Sequence, residues 1–135
     1  GFLRGADRVY AELQAVAAPD AKIAFTGHSL GGARARVQAS LFAANGRKVE
    51  QLCTFGSPKP AFANLSRVIQ KSGMEHASYR NRNDPVPLVP AILPYWEHPE
   101  AWRAIDVAPP PEDLEPLRDH HIELYLEGMR RAAAP

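Results

Sequence analysis

The run Gly27-His28-Ser29-Leu30-Gly31-Gly32 constrains this chain more than any other feature. It follows a short apolar stretch, Ile23-Ala24-Phe25, and precedes a segment of good helix formers. A serine between strand and helix in a Gly-x-Ser-x-Gly pattern sits on a sharp reversal, with its hydroxyl exposed at the tip. Gly27 and Gly31 flank Ser29 two positions to either side, where a Cβ is expected to collide with the turn. Gly32 lets the following helix approach the strand. That helix aims its first N–H groups and its positive dipole end at the serine oxygen. The backbone amide of Leu30 is therefore a ready donor to an oxyanion.

The elements around this turn alternate. Residues 3–17 place Leu3, Ala6, Val9, Tyr10, Leu13 and Ala17 at helical spacing, and Ala18-Pro19-Asp20 ends the helix. Strands are expected over 22–26, 48–55 and, more weakly, 74–80. Helices are expected over 30–44, over 61–71 with Phe62, Leu65, Val68 and Ile69 on one face, and from Asp119 to about Arg131. Most of the thirteen prolines fall between Pro85 and Pro116, which predicts a long ordered loop over 84–116. Strands alternating with helices predict an α/β layout with a parallel sheet.

Composition narrows the partners. A formal charge of +1 gives no global pull toward nucleic acid or an anionic membrane. The acidic residues gather in the C-terminal part, which reads as solvated surface. Cys53 is the only cysteine, so no internal disulfide forms, and within Leu52-Cys53-Thr54-Phe55 it reads as a small buried hydrophobe. No apolar stretch reaches membrane-spanning length and no signal-peptide pattern is visible, which leaves location open.

A serine hydroxyl is a weak nucleophile that needs a base, and the base needs a carboxylate to hold its tautomer. In elbow hydrolases the order along the chain is serine, acid, histidine. Asp84 is the leading carboxylate: it follows the third strand and opens the rigid turn Asp84-Pro85-Val86-Pro87. Asp106 is the runner-up. Of five histidines, His28 is expected to point away from Ser29, His76 starts a strand and His98 lies in the proline loop. His120 and His121 both fall at the start of the last helix, and position alone does not separate them.

Together these pieces resemble the class 3 lipase family. Gly1-Phe2-Leu3 is similar to the Gly-Phe that opens the helix before the elbow strand, and residues 27–32 are similar to the elbow itself. Thr54-Phe55-Gly56-Ser57-Pro58 resembles the family's Thr-Phe-Gly-x-Pro turn, although Lys59-Pro60-Ala61 stands where a glycine is expected. Arg82-Asn83-Asp84-Pro85-Val86-Pro87 resembles the segment of the catalytic aspartate. His120-His121-Ile122-Glu123-Leu124-Tyr125-Leu126 resembles the late segment in which tyrosine follows histidine by five residues, a register that selects His120.

The resemblance implies an α/β-hydrolase-like parallel sheet flanked by helices. Residues 1–135 would form one partial domain, a C-terminal piece lacking the N-terminal strands. It implies a serine hydrolase that cleaves carboxylic esters, acylglycerols among them, through Ser29, Asp84 and His120, with no cofactor and no metal. The oxyanion would rest on the Leu30 N–H and on a second donor outside this chain. The implied partners are an ester or lipid substrate and transient contact with a lipid interface, with no nucleic acid; oligomeric state stays open. A non-catalytic binding module and an acyltransferase using the same residues are the alternatives. Residues 22–26 are expected to present an unpaired apolar edge, which would leave the isolated chain poorly soluble or weakly active. Pro94-Tyr95-Trp96 through Trp102 is either acyl-chain lining or ordinary loop packing.

Overall fold

A computed structural model describes residues 4–90, 96–98, 101–113, 115 and 117–134. Four strands, β1 (Ile23–His28), β2 (Val49–Phe55), β4 (Glu75–Asn81) and β6 (Arg103–Ile105), form a parallel sheet in the order β1-β2-β4-β6. A separate antiparallel pair joins β3 (Ala61–Phe62) to β5 (Trp96–Glu97). The helices are α1 (Ala6–Val16), α2 (Leu30–Ala44), α3 (Ala63–Lys71) and α4 (Ile122–Ala133).

Side chains alternate across a strand, so each face of the sheet meets a different core. Ile23, Phe25, Val49 and Leu52 point to the face where Ala35, Ala39 and Phe42 of α2 and Ile69 of α3 are buried. Each large side chain buried there contributes about 1.5–3 kcal/mol. Tyr10 of α1 closes that core, its ring edge-on to Phe42 at 5.0 Å between centroids. Phe55 and Tyr79, register partners on β2 and β4, point to the other face and stack at 5.3 Å beside Tyr125 of α4. The sheet is thus held between α1, α2 and α3 on one face and α4 on the other.

The local elements follow the sequence closely, with six departures. Ala61–Phe62 is a short strand rather than the first turn of the expected 61–71 helix. The proline-rich stretch contains a strand of the main sheet, β6, which three residues flanked by irregular backbone do not announce. The last helix begins at Ile122, after a 3₁₀ turn at Arg118–His120. Cys53 is half-covered rather than buried, and its partial burial pushes the thiol pKa up, away from the reactive thiolate. Val9 is exposed on α1 instead of joining its inner face. The expected apolar contributions of Leu3 and Phe62 concern side chains outside the described residues.

The sixth departure concerns the glycines of the elbow. A Cβ on Gly27 would stand 2.4 Å from the backbone carbon of Gly31, and one on Gly31 would meet nothing within 4 Å. Of the two glycines that flank Ser29, Gly27 alone is demanded by sterics, because the first turn of α2 folds directly over it. Gly27→Ala is therefore expected to destabilise the protein by about 1–3 kcal/mol or more. Gly31→Ala is expected to be neutral or to stabilise by up to about 1 kcal/mol through helix propensity. Urea midpoints of the two variants check both signs.

β1 ends the sheet, with no strand on its outer side among the described residues. Along that edge a cavity of about 250 Å³ is lined by Thr26, His28, Phe55, Ile122, Leu126 and Met129, among others. Ile122 and Leu126 are exposed beside it. No helix among the described residues is long and apolar enough to cross a membrane.

Candidate functional site

Parallel strands present their carboxyl ends together, and groups held just beyond those ends converge. Ser29 follows β1, Asp84 lies three residues beyond β4, and His120 closes the 3₁₀ turn before α4. Ser29 is the N-cap of α2 with φ 55° and ψ −130°, in the region that L side chains rarely adopt. Holding a non-glycine residue there costs on the order of 1–3 kcal/mol, which the surrounding structure must supply. Its N–H donates to the Phe55 carbonyl at 2.9 Å, continuing the β1–β2 ladder into the turn. Leu30 opens the helix, so its N–H belongs to the first turn, where backbone donors have no intrahelical partner.

The three side chains singled out from the sequence lie in one line. His120 Nε2 is 2.8 Å from Ser29 Oγ, and His120 Nδ1 is 2.7 Å from Asp84 Oδ2. Asp84 is wholly buried. Its Oδ1 accepts the Val86 N–H at 2.8 Å, and its Oδ2 accepts the Tyr125 hydroxyl as well as the His120 ring. These donors offset the desolvation of a buried carboxylate. Burial and the neighbouring Asp84 push the Tyr125 pKa well above the usual phenol range, so this hydroxyl stays a donor.

The other candidates fall elsewhere. His121 points its Nδ1 toward Asp113 at 3.5 Å, and Asp106 pairs with Arg82 at the surface at 2.9 Å. His76 faces the Met74 carbonyl. His28 lies against His120: its Nε2 donates to the His120 carbonyl at 2.8 Å, with the rings 4.5 Å apart. Burial, and then the proximity of His120, lower the His28 pKa and favour the neutral ring that this contact uses. Of the aromatic loop, Pro94 and Tyr95 lie outside the described residues, as does the Trp96 side chain. Trp102 packs against His98 and under the Arg80 guanidinium, which supports loop packing for that ring.

Several supporting residues carry no sequence signal of their own. Asn81 is wholly buried; its side chain donates to the carbonyls of Val107 and Asp119 and accepts the Val107 N–H. It thereby ties the end of β4 to the segment carrying His120. Gly56, with φ 53°, lies directly against Asp84 and His120. A Cβ there would stand 2.8 Å from Asp84 Oδ2 and 2.9 Å from His120 Nδ1. The Thr-Phe-Gly-x-Pro turn was visible in the sequence, but not that its glycine makes room for these two groups.

Tyr125 gives a direct test of this scaffold. Its oxygen also accepts the Asn81 N–H at 3.1 Å, so Tyr125→Phe leaves two buried partners short of a bond. The expected cost is about 1–3 kcal/mol in unfolding free energy, checked by denaturant titration.

A parallel sheet with a strained serine turn at the end of one strand, an acid beyond a later strand and a histidine before the last helix defines an α/β-hydrolase fold. Residues 6–93 match the family described as lipase (class 3), and the chain belongs to that family. It is 38% identical over 113 residues to a secreted mono- and diacylglycerol lipase 1 of Fusarium solani, covering 76% of this chain and 33% of that protein. It is 32% identical over 100 residues to a secreted mono- and diacylglycerol lipase A of Penicillium cyclopium, covering 71% of this chain and 32% of that protein. Among solved structures, a mutant form of the Penicillium cyclopium lipase MDLA superposes with a TM-score of 0.65 at 27% identity, covering 80% of this chain and 40% of that one. The LIP2 lipase of Yarrowia lipolytica gives 0.61 at 26% identity, covering 78% and 42%. The chain thus spans about a third of the length of these sequence relatives and two-fifths of the structural ones.

Proposed function

We propose that this chain carries the reacting groups of a carboxylic ester hydrolase, with Ser29 as nucleophile, His120 as general base and acid, and Asp84 as the group that orients and charge-compensates His120. The observation that carries this reading is the continuous hydrogen-bonded line from Ser29 Oγ through His120 to Asp84 Oδ2, at 2.8 and 2.7 Å. His120 takes the Ser29 proton as the oxygen attacks the acyl carbonyl. The oxyanion rests on the Leu30 N–H, in a position where one donor is typically worth about 2.7–4 kcal/mol. The C–O bond to the alcohol breaks as His120 returns the proton to it. Water, deprotonated by His120, then cleaves the acyl-serine and restores the free hydroxyl.

The substrate class is acylglycerol, and the relatives named as mono- and diacylglycerol lipases support it. The test is covalent labelling of the longest natural form of the protein with a serine-directed fluorophosphonate, read by mass spectrometry. Stoichiometric label on Ser29 is the expected result. Label on a different residue, or none at all, would overturn the assignment.

A further inference from the structure

Arg36 is wholly buried, seven residues past Ser29 on α2. Its guanidinium donates to the hydroxyls of Thr54 on β2, at 2.9 Å, and of Ser78 on β4. It also donates to His98 Nδ1, just past β5. The opposite nitrogen of that ring, Nε2, donates to the Pro87 carbonyl at 2.7 Å. These two bonds fix the tautomer, with Nδ1 as acceptor and Nε2–H as donor. Charge agrees with this: burial first, and then the cations Arg36 of α2 and Lys59 of the turn before β3, hold the His98 pKa down to about 4.

Pro87 lies three residues past Asp84, in the turn whose Val86 N–H holds the carboxylate. The same turn is gripped at its other end by Arg80, whose Nε donates to the Asp84 carbonyl at 2.9 Å. Trp102 packs between the two grips, edge-on to His98 and against Arg80. The backbone that aims Asp84 at His120 is therefore held from both ends.

We propose that His98, braced by Arg36, is a positioning residue for the Asp84–His120 pair, acting through its Nε2–H bond to the Pro87 carbonyl. This rests on the hydrolase reading given above. A carboxylate displaced by even a fraction of an ångström orients the imidazole less well and stabilises its protonated form less.

The test uses His98→Gln and His98→Asn in the full-length protein, with His98→Ala beside them. Glutamine reaches the position of Nε2 and keeps a donor to Pro87. Asparagine reaches only the position of Nδ1, keeping the acceptor toward Arg36. The Asn and Ala variants are expected to lose about 10- to 100-fold in kcat for a soluble ester, with KM within about twofold. Their kcat/KM profiles are expected to show the acid-limb pKa lowered, because His120 loses part of its carboxylate support. The Gln variant is expected to recover most of both. A purely structural role for His98 predicts that Gln and Asn fail alike and that the acid limb stays in place. Either of these outcomes, or an unimpaired His98→Asn protein, overturns the proposal while wild type still labels at Ser29. Failure of wild type to label overturns the hydrolase reading, and this assignment falls with it.

Discussion

Ser29→Ala is expected to lower kcat for ester hydrolysis by about 10⁶-fold and to abolish fluorophosphonate labelling, the loss typical when a serine–histidine unit loses its nucleophile. The size of the effect follows from how little else in the site can attack. His120 Nε2 is aimed at the serine oxygen at 2.8 Å, and Asp84 is buried and committed to three donors. Removing one oxygen disturbs no packing, so the fold is expected to persist. Ser29→Gly separates the chemical role from the conformational one. Glycine adopts φ 55° without strain, so this variant is expected to be equally inactive yet more stable by on the order of 1 kcal/mol. Stopped-flow hydrolysis and thermal unfolding of both variants measure the two effects. Retention of more than a few per cent of wild-type turnover in Ser29→Ala would place the nucleophile elsewhere.

Asp84→Asn is expected to cost about 10⁴-fold in kcat, the magnitude associated with the wrong imidazole tautomer. The buried carboxylate accepts from Val86 N–H at one oxygen and from Tyr125 and His120 at the other. An amide supplies one acceptor and one donor. If its oxygen faces His120, its NH₂ meets the Val86 N–H. If the NH₂ faces His120, the ring must turn its lone pair to the amide and its proton to Ser29, where it no longer serves as a base. Either arrangement leaves a buried donor unsatisfied, so a stability loss of about 1–3 kcal/mol is expected as well. Steady-state kinetics with denaturant titration distinguish this from simple unfolding. An Asp84→Asn enzyme within tenfold of wild type would exclude Asp84 from the mechanism.

The parts of the site that were legible in the sequence are those whose chemistry is local. The turn around Ser29 is written in six consecutive residues, and the proline-fixed turn after Asp84 in four more. The choice of His120 over its neighbour came from resemblance to a family segment in which tyrosine follows histidine by five residues, as Tyr125 follows His120. The fold gives that register a physical meaning: the histidine ring and the tyrosine hydroxyl reach the same carboxylate oxygen, one from the 3₁₀ turn and one from the following helix. Gly31 was misjudged because motif spacing treats the two flanking glycines alike. The first turn of α2 in fact crowds only Gly27.

What stayed hidden depends on contacts between segments far apart along the chain. β6 is three residues long and gains its identity only by pairing with β4. Asn81, Arg36 and His98 are ordinary polar residues in sequence. Their partners lie on other elements, in Asn81's case as far away as Asp119. Local backbone preference and apolar periodicity therefore determined by themselves the α/β order and the sharp turn at Ser29, whereas His120 was singled out from its neighbour only by resemblance to a family segment. The tertiary structure alone decided which buried donors hold Asp84 in place, because a hydrogen-bond partner is chosen by position in space and leaves no period or spacing in the chain.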